Sequence, residues 1–122
     1  MQLVEMNSAI GIADQLQSNE DGSVVLINVF TIDPADEAAM LEVWSQDAAF
    51  MREQPGYVST QMHKAIGGSA TFVNYAIWES AESFRNAFTN PEFRKHLGNY
   101  PESATVSPHL FKKLAVPGFC VG

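Results

Sequence analysis

An α+β fold of ferredoxin-like type, βαββαβ around an antiparallel sheet, is predicted by three observations. Two runs, VVLINVFTI at 24–32 and TFVNYAIWE at 71–79, are almost continuously apolar, as central strands covered on both faces are. A third run, YVSTQMHK at 57–64, alternates in the manner of a half-exposed strand. Capped helix starts follow both apolar runs, Asp33-Pro34 after the first and Ser80, then Asn90-Pro91, after the second. Right-handed crossovers then place the two apolar strands side by side in the middle of one sheet, with both helices on one face.

The elements take shape in order. Residues 1–22 hold only a short helical stretch, Ser8 to Gln17, weakened by Gly11 and followed by the loop Asn19-Glu20-Asp21-Gly22. They read as an N-terminal extension outside the core fold, packed on a neighbouring subunit, with residues 23–122 as the domain. In the first apolar run, Asn28 shares a face with Leu26 and Phe30. Asp33 then caps a helix that Pro34 leads, with Asp36 and Glu37 at the positive end of its dipole. Met40, Leu41, Trp44, Ala48 and Met51 form its apolar stripe, Val43 and Phe50 flank it, and Pro55-Gly56 stops it. Gly67-Gly68-Ser69 turns the second strand into the third as a hairpin. Ser80 caps a helix reaching about Phe88, and Asn90-Pro91 starts a second one from Glu92 to Leu97. Thr105 to Val116 reads as a last strand, confined by Pro108 to an edge or a bulge.

Composition narrows the function. The chain has 122 residues, one domain by size, and a net charge of -7, which argues against nucleic acid as a partner. No apolar run reaches the roughly 18 residues of a membrane span. The N-terminus lacks a secretory pattern, and a single cysteine, Cys120, forbids an intrachain disulfide, so a cytoplasmic location is expected. No cluster of His, Asp and Glu at ligand spacing suggests a metal.

The strand at 71–79 is where chemistry gathers. One face carries Phe72, Asn74, Ala76 and Trp78, the other Thr71, Val73, Tyr75 and Ile77. A carboxamide and an indole N–H flank the small Ala76 and would line an apolar recess, with Asn28 close by on a parallel neighbour. The opposite face, with Val25, Ile27, Val29, Val73, Tyr75 and Ile77, has no helix to cover it and predicts a homodimer packed sheet to sheet.

Residues 55–80, PGYVSTQMHKAIGGSATFVNYAIWES, resemble the antibiotic biosynthesis monooxygenase family of dimeric α+β barrel proteins. The carrying features are Pro-Gly before the second strand, the NYAxW run and the Trp-Glu-Ser that leads into a helix; INVFTIDP at 27–34 also fits. The resemblance covers about residues 24 to 114 and implies a sheet that closes as a barrel across a dimer. It implies, further, oxidation of a small hydrophobic, electron-rich aromatic by dioxygen to a quinone, with no cofactor. Asn74 and Trp78 match the family's donors, and Arg94 stands where it could stabilise a phenolate. Asn28, Phe30, Phe72, Ala76, Trp44 and Phe84 would contact substrate. Phe84 stands where the anthrone oxygenases carry a tyrosine, which removes a candidate acid.

Two other functions compete. A heme-degrading protein of the same superfamily would use Asn28, Trp78 and a histidine on the late helix; His96 sits one residue early, a rotation of about 100°. A dimeric module that binds a hydrophobic metabolite without turnover would need neither acid nor ligand. Each polar residue also has a purely structural reading. Asn28 and Asn74 would satisfy each other or nearby backbone, Trp44 and Trp78 would be core, His63 would be surface, and His96 would cap its helix. Arg94 would pair with Glu92 or Glu102, and Cys120 has no visible partner.

Overall fold

Caps and turn residues set the element order. In the computed structural model, which describes residues 1–122, the chain opens with β1 (Gln2–Leu3) and the short helix α1 (Ile12–Gln15). There follow β2 (Val24–Thr31), α2 (Glu37–Met51), β3 (Tyr57–Lys64), β4 (Thr71–Trp78), α3 (Ala81–Phe88), α4 (Pro91–His96) and β5 (Thr105–Phe111). Asp33 accepts a hydrogen bond from the Ala35 N–H at 3.0 Å and starts a 3-10 turn that leads into α2. Ser80 caps α3 through the Ser83 N–H at 3.0 Å, and Asn90 caps α4 through the Glu92 N–H at 2.9 Å. Gly56 stops the chain after α2 with φ of 86°, and a Cβ there would meet the Ser83 Cβ at 2.3 Å, so only glycine lets β3 begin against α3.

The five strands form one sheet in the order β1-β5-β2-β4-β3, antiparallel except for β1 beside β5. This is the ferredoxin-like arrangement, with β2 and β4 in the centre. Asn28 therefore faces Asn74 directly across an antiparallel pair, rather than from a parallel strand. The last strand stops at Phe111, short of Val116.

β5 resolves the proline problem in an instructive way. Its outer edge is bonded by β1 around Ala104 and Val106, and by the Gln15 carboxamide at Leu110, which receives one bond and donates another. Pro108 lies between those two sets, where its missing N–H points away from β2 and breaks no rung of the ladder. The first 22 residues thus pack on their own chain, and Ile12 and Leu16 are buried in its core. The expectation that this segment lies outside the core does not hold for those two side chains.

Alternation along the strands buries Leu26, Phe30, Phe72, Asn74, Ala76 and Trp78 under the helices. Two apolar clusters form there, one around Trp78 and Phe84, the other around Phe30, Phe72 and Met40. On the other face Ile27, Val29, Val73 and Ile77 are half-buried and Tyr75 is exposed. No helix is long and apolar enough to cross a membrane.

Candidate functional site

The two clusters do not close on each other. Between them lies a partly open cavity, with about 570 Å³ of empty space when the solvent at its mouth is counted. Asn28, Asn74, Ala76 and Trp78 form its sheet side, and Trp44, Asp47, Ala48 and Met51 of α2 cover it. Phe84, Phe88 and Phe93 make an end wall, part of a relay of rings in which Tyr57, Trp78, Phe84, Phe88 and Phe93 touch in turn at 5.2–5.6 Å between centroids. A wider outer groove shares Asn28, Phe30, Asp47 and Tyr100 with the cavity and is walled by Met1, Leu3, Ile12 and Leu16.

The two carboxamides are held differently. The Ser107 backbone N–H can only donate, and it reaches Asn28 Oδ1 at 3.1 Å. That bond fixes the oxygen of Asn28 on the backbone and leaves its NH₂ group for the cavity. Asn74 is bonded to the Thr60 hydroxyl, which can donate or accept, so Asn74 is able to present either end. Trp78 is 1% exposed and lines the cavity, and its indole N–H is bonded to no group of the protein.

Of the residues expected at the site, Asn28, Phe30, Trp44, Asn74, Ala76, Trp78 and Phe84 are brought together around the cavity. Phe72 is not: it is buried in the cluster with Phe30 and Met40 and lines neither cavity nor groove. Arg94 lies in the outer groove with its guanidinium 4.7 Å from the centre of the Phe88 ring, at the mouth rather than beside the carboxamides. His96 lines neither space, so it is not aimed at a group held between Asn28 and Trp78. No group of three or more His, Cys, Asp or Glu is placed to hold a metal ion.

Sequence reasoning missed Asp47 and Tyr100. Asp47 is 5% exposed, and the Tyr100 hydroxyl donates to its Oδ2 at 2.6 Å. His96 Nδ1 stands 3.4 Å from Oδ1, within ion-pair range but outside good hydrogen-bond geometry. Burial pushes the Asp47 carboxyl up from its ordinary value, against the opposing pull of Tyr100 and His96. Burial and the neighbouring Asp47 also push the Tyr100 phenol far up, so it stays protonated and available as a donor. The signal for Asp47 was present: it is the one charged residue on the helical stripe Met40, Trp44, Ala48, Met51. Tyr100 follows a loop, where periodicity says nothing about burial.

Against known proteins, a family model described as antibiotic biosynthesis monooxygenase matches residues 23–98. A curated relative, the deoxynogalonate monooxygenase of Streptomyces nogalater, is 32% identical over 73 residues, 60% of this chain and 61% of that protein. The match thus spans about three-fifths of that relative's length. Among solved structures, SnoaB of Streptomyces nogalater, described as a cofactor-independent oxygenase, superposes with a TM-score of 0.68 at 27% identity, over 80% of this chain and 98% of that one. A protein from Shewanella loihica PV-4 gives a TM-score of 0.68 at 33% identity, over 80% of this chain and all of the other.

Proposed function

Because the chain belongs to the antibiotic biosynthesis monooxygenase family, we propose that it is a cofactor-independent monooxygenase. Its substrate class is a small hydrophobic, electron-rich aromatic, anthrone- or quinol-like, which dioxygen oxidises to a quinone. One observation carries the reading: two asparagines occupy paired positions of the central strands, near Trp78, and all three residues line a largely apolar cavity. The deprotonated ring carries negative charge on its oxygen, and charge passes to dioxygen as the new C–O bond forms. Fixed donors in a dry site stabilise such charge well. Asn28 and Asn74 hold the ring oxygen, Trp78 the incipient peroxide. Trp44, Phe30 and Phe84 pack on the rings, Ala76 leaves room for them, and Phe72 supports Phe30 from the neighbouring strand. Arg94 draws the phenolic edge in at the mouth. The relative described as a cofactor-independent oxygenase supports the same chemistry.

The protein works as a homodimer in this reading, its bare sheet faces packed together. Dioxygen uptake with dithranol, an anthrone, tests the activity. The wild type consumes dioxygen, and Asn74→Ala and Trp78→Phe each lower the rate by about 10²-fold or more. Uptake unchanged in both variants would remove these residues from the reaction.

A further inference from the structure

Oxygenation of an anthrone needs a group that takes a proton from the ring and later returns it, and neither a carboxamide nor an indole can do so near neutral pH. Asp47 caps no helix and bonds no backbone. It is nonetheless buried on the inward stripe of α2, at the junction of cavity and outer groove. An ionised carboxylate in such a place is costly unless paired, and only one oxygen is well bonded, by the Tyr100 hydroxyl at 2.6 Å. The other, Oδ1, has no hydrogen-bond partner, and neither has the His96 Nδ1 that stands 3.4 Å away. The His96 side chain is 33% exposed, so the set runs from the cavity to solvent.

We propose that Tyr100 and Asp47 form the proton-transfer centre of the cavity, with Tyr100 as the catalytic residue at the substrate and Asp47 as the proton store behind it. His96 is a positioning residue that favours the charged form of Asp47 from the solvent side. The role in oxygenation rests on the function proposed above; the transfer of a proton does not.

The substrate C–H bond breaks with its electrons left on the ring. Its proton passes to the Tyr100 oxygen while the Tyr100 proton passes to Asp47. The carbanion reduces dioxygen as a C–O bond forms, and Asp47 returns a proton along the same path to the peroxide anion. A second C–H bond then loses its proton to the centre, the O–O bond breaks, and the departing hydroxide takes that proton as water. The sum is R₂CH₂ + O₂ → R₂C=O + H₂O, with Asp47 unchanged. Tyr100 and His96 are the titratable groups that face Asp47; Tyr57 lines the cavity and Arg94 the groove.

Exchange of the dithranol methylene protons in D₂O under nitrogen reads this step without dioxygen. The wild type accelerates exchange over buffer, and Tyr100→Phe and Asp47→Asn each reduce the acceleration by about 10²-fold or more. Asp47→Asn keeps an oxygen to accept the Tyr100 hydroxyl, so its melting curve shows that the fold persists. His96→Gln retains exchange but moves the midpoint of its rise with pH upward, because the carboxylate loses a cationic neighbour. Exchange no faster than buffer, or equal in wild type and Asp47→Asn, overturns the proposal. Exchange that depends on Asp47 without dioxygen uptake by the wild type supports the proton centre and removes the oxygenase reading instead.

Discussion

Replacing Asn28 by aspartate separates the fold from the chemistry at one atom. In the protein the Ser107 N–H binds Asn28 Oδ1 at 3.1 Å and Asn28 is paired with Asn74 across the sheet, so in the proposed reaction its NH₂ group is the end that meets substrate. In Asn28→Asp a carboxylate oxygen still accepts from Ser107, and a hydrogen bond to a charged group contributes about 1.5–3 kcal/mol against about 1 for a neutral one. That gain offsets part of the cost of placing a charge in a half-buried site, and the melting temperature stays near wild type. Asn28→Ala would instead leave the Ser107 N–H without this acceptor, at about 1–3 kcal/mol, and so confuse folding with function. The activity responds differently. Loss of one donor to an oxyanion costs about 10²–10³ in rate, or about 2.7–4 kcal/mol. A carboxylate about 4 Å from an enolate oxygen adds repulsion of up to about 4 kcal/mol at an effective dielectric of about 20. Dioxygen uptake with dithranol should therefore fall by at least about 10²-fold, the donor term's lower value, and by more with any part of the repulsion added. A variant that melts like the wild type and retains a tenth of its rate would refute the donor role of Asn28.

Two further predictions concern charge and association. Burial raises the Asp47 carboxyl above 3.8, so over a window starting there the native state binds more protons than the unfolded one, and stability falls as pH rises through it. Asp47→Asn flattens that part of the curve of melting temperature against pH; a wild type that gains stability relative to the variant over the same window contradicts the sign. Sedimentation at micromolar concentration should give a dimer, and Tyr75→Glu, at a side chain 39% exposed on the open face, should shift it to monomer. A wild-type monomer would remove the homodimer.

Much of this architecture was legible because it rests on local chemistry. Ser80 and Asn90 cap the helices they were expected to cap, Asp33 caps the 3-10 turn that leads into α2, and the alternation of β4 assigns Asn74 and Trp78 to the covered face. What escaped depends on tertiary contacts. Tyr100 is buried because its hydroxyl finds Asp47, 53 residues away, and no spacing rule encodes that meeting. The N-terminal segment looked detachable because its apolar residues are few and interrupted by Gly11. Yet Ile12 and Leu16 fill the core, and Gln15 binds Leu110 across 95 residues. Phe72 failed as a substrate contact for a related reason: its face was right, but its place along the strand sets it opposite Phe30, in the cluster with Met40, rather than beside Ala76.

The cavity exists because polar side chains interrupt two apolar surfaces at the same height. On the sheet, Asn28 and Asn74 occupy paired positions of adjacent central strands, and the ladder on both sides holds that register. A slip of β2 by one residue would turn Asn28 to the open face and bury Ile27 or Val29 in its place. On α2, Asp47 stands where the stripe would otherwise present an apolar side chain to close the gap. In the proposed reaction the labour is divided between the two layers. The proposed donors come from the sheet, whose geometry the whole ladder fixes, whereas Asp47, His96 and Tyr100 come from α2, α4 and the loop after it. Stabilising developing charge demands donors that do not reorganise, while moving a proton demands groups that approach and withdraw. In the proposed reaction the donors belong to the sheet and the proton-moving groups to the helical layer, and Asn28, Asn74, Asp47 and Tyr100 line the one cavity between them.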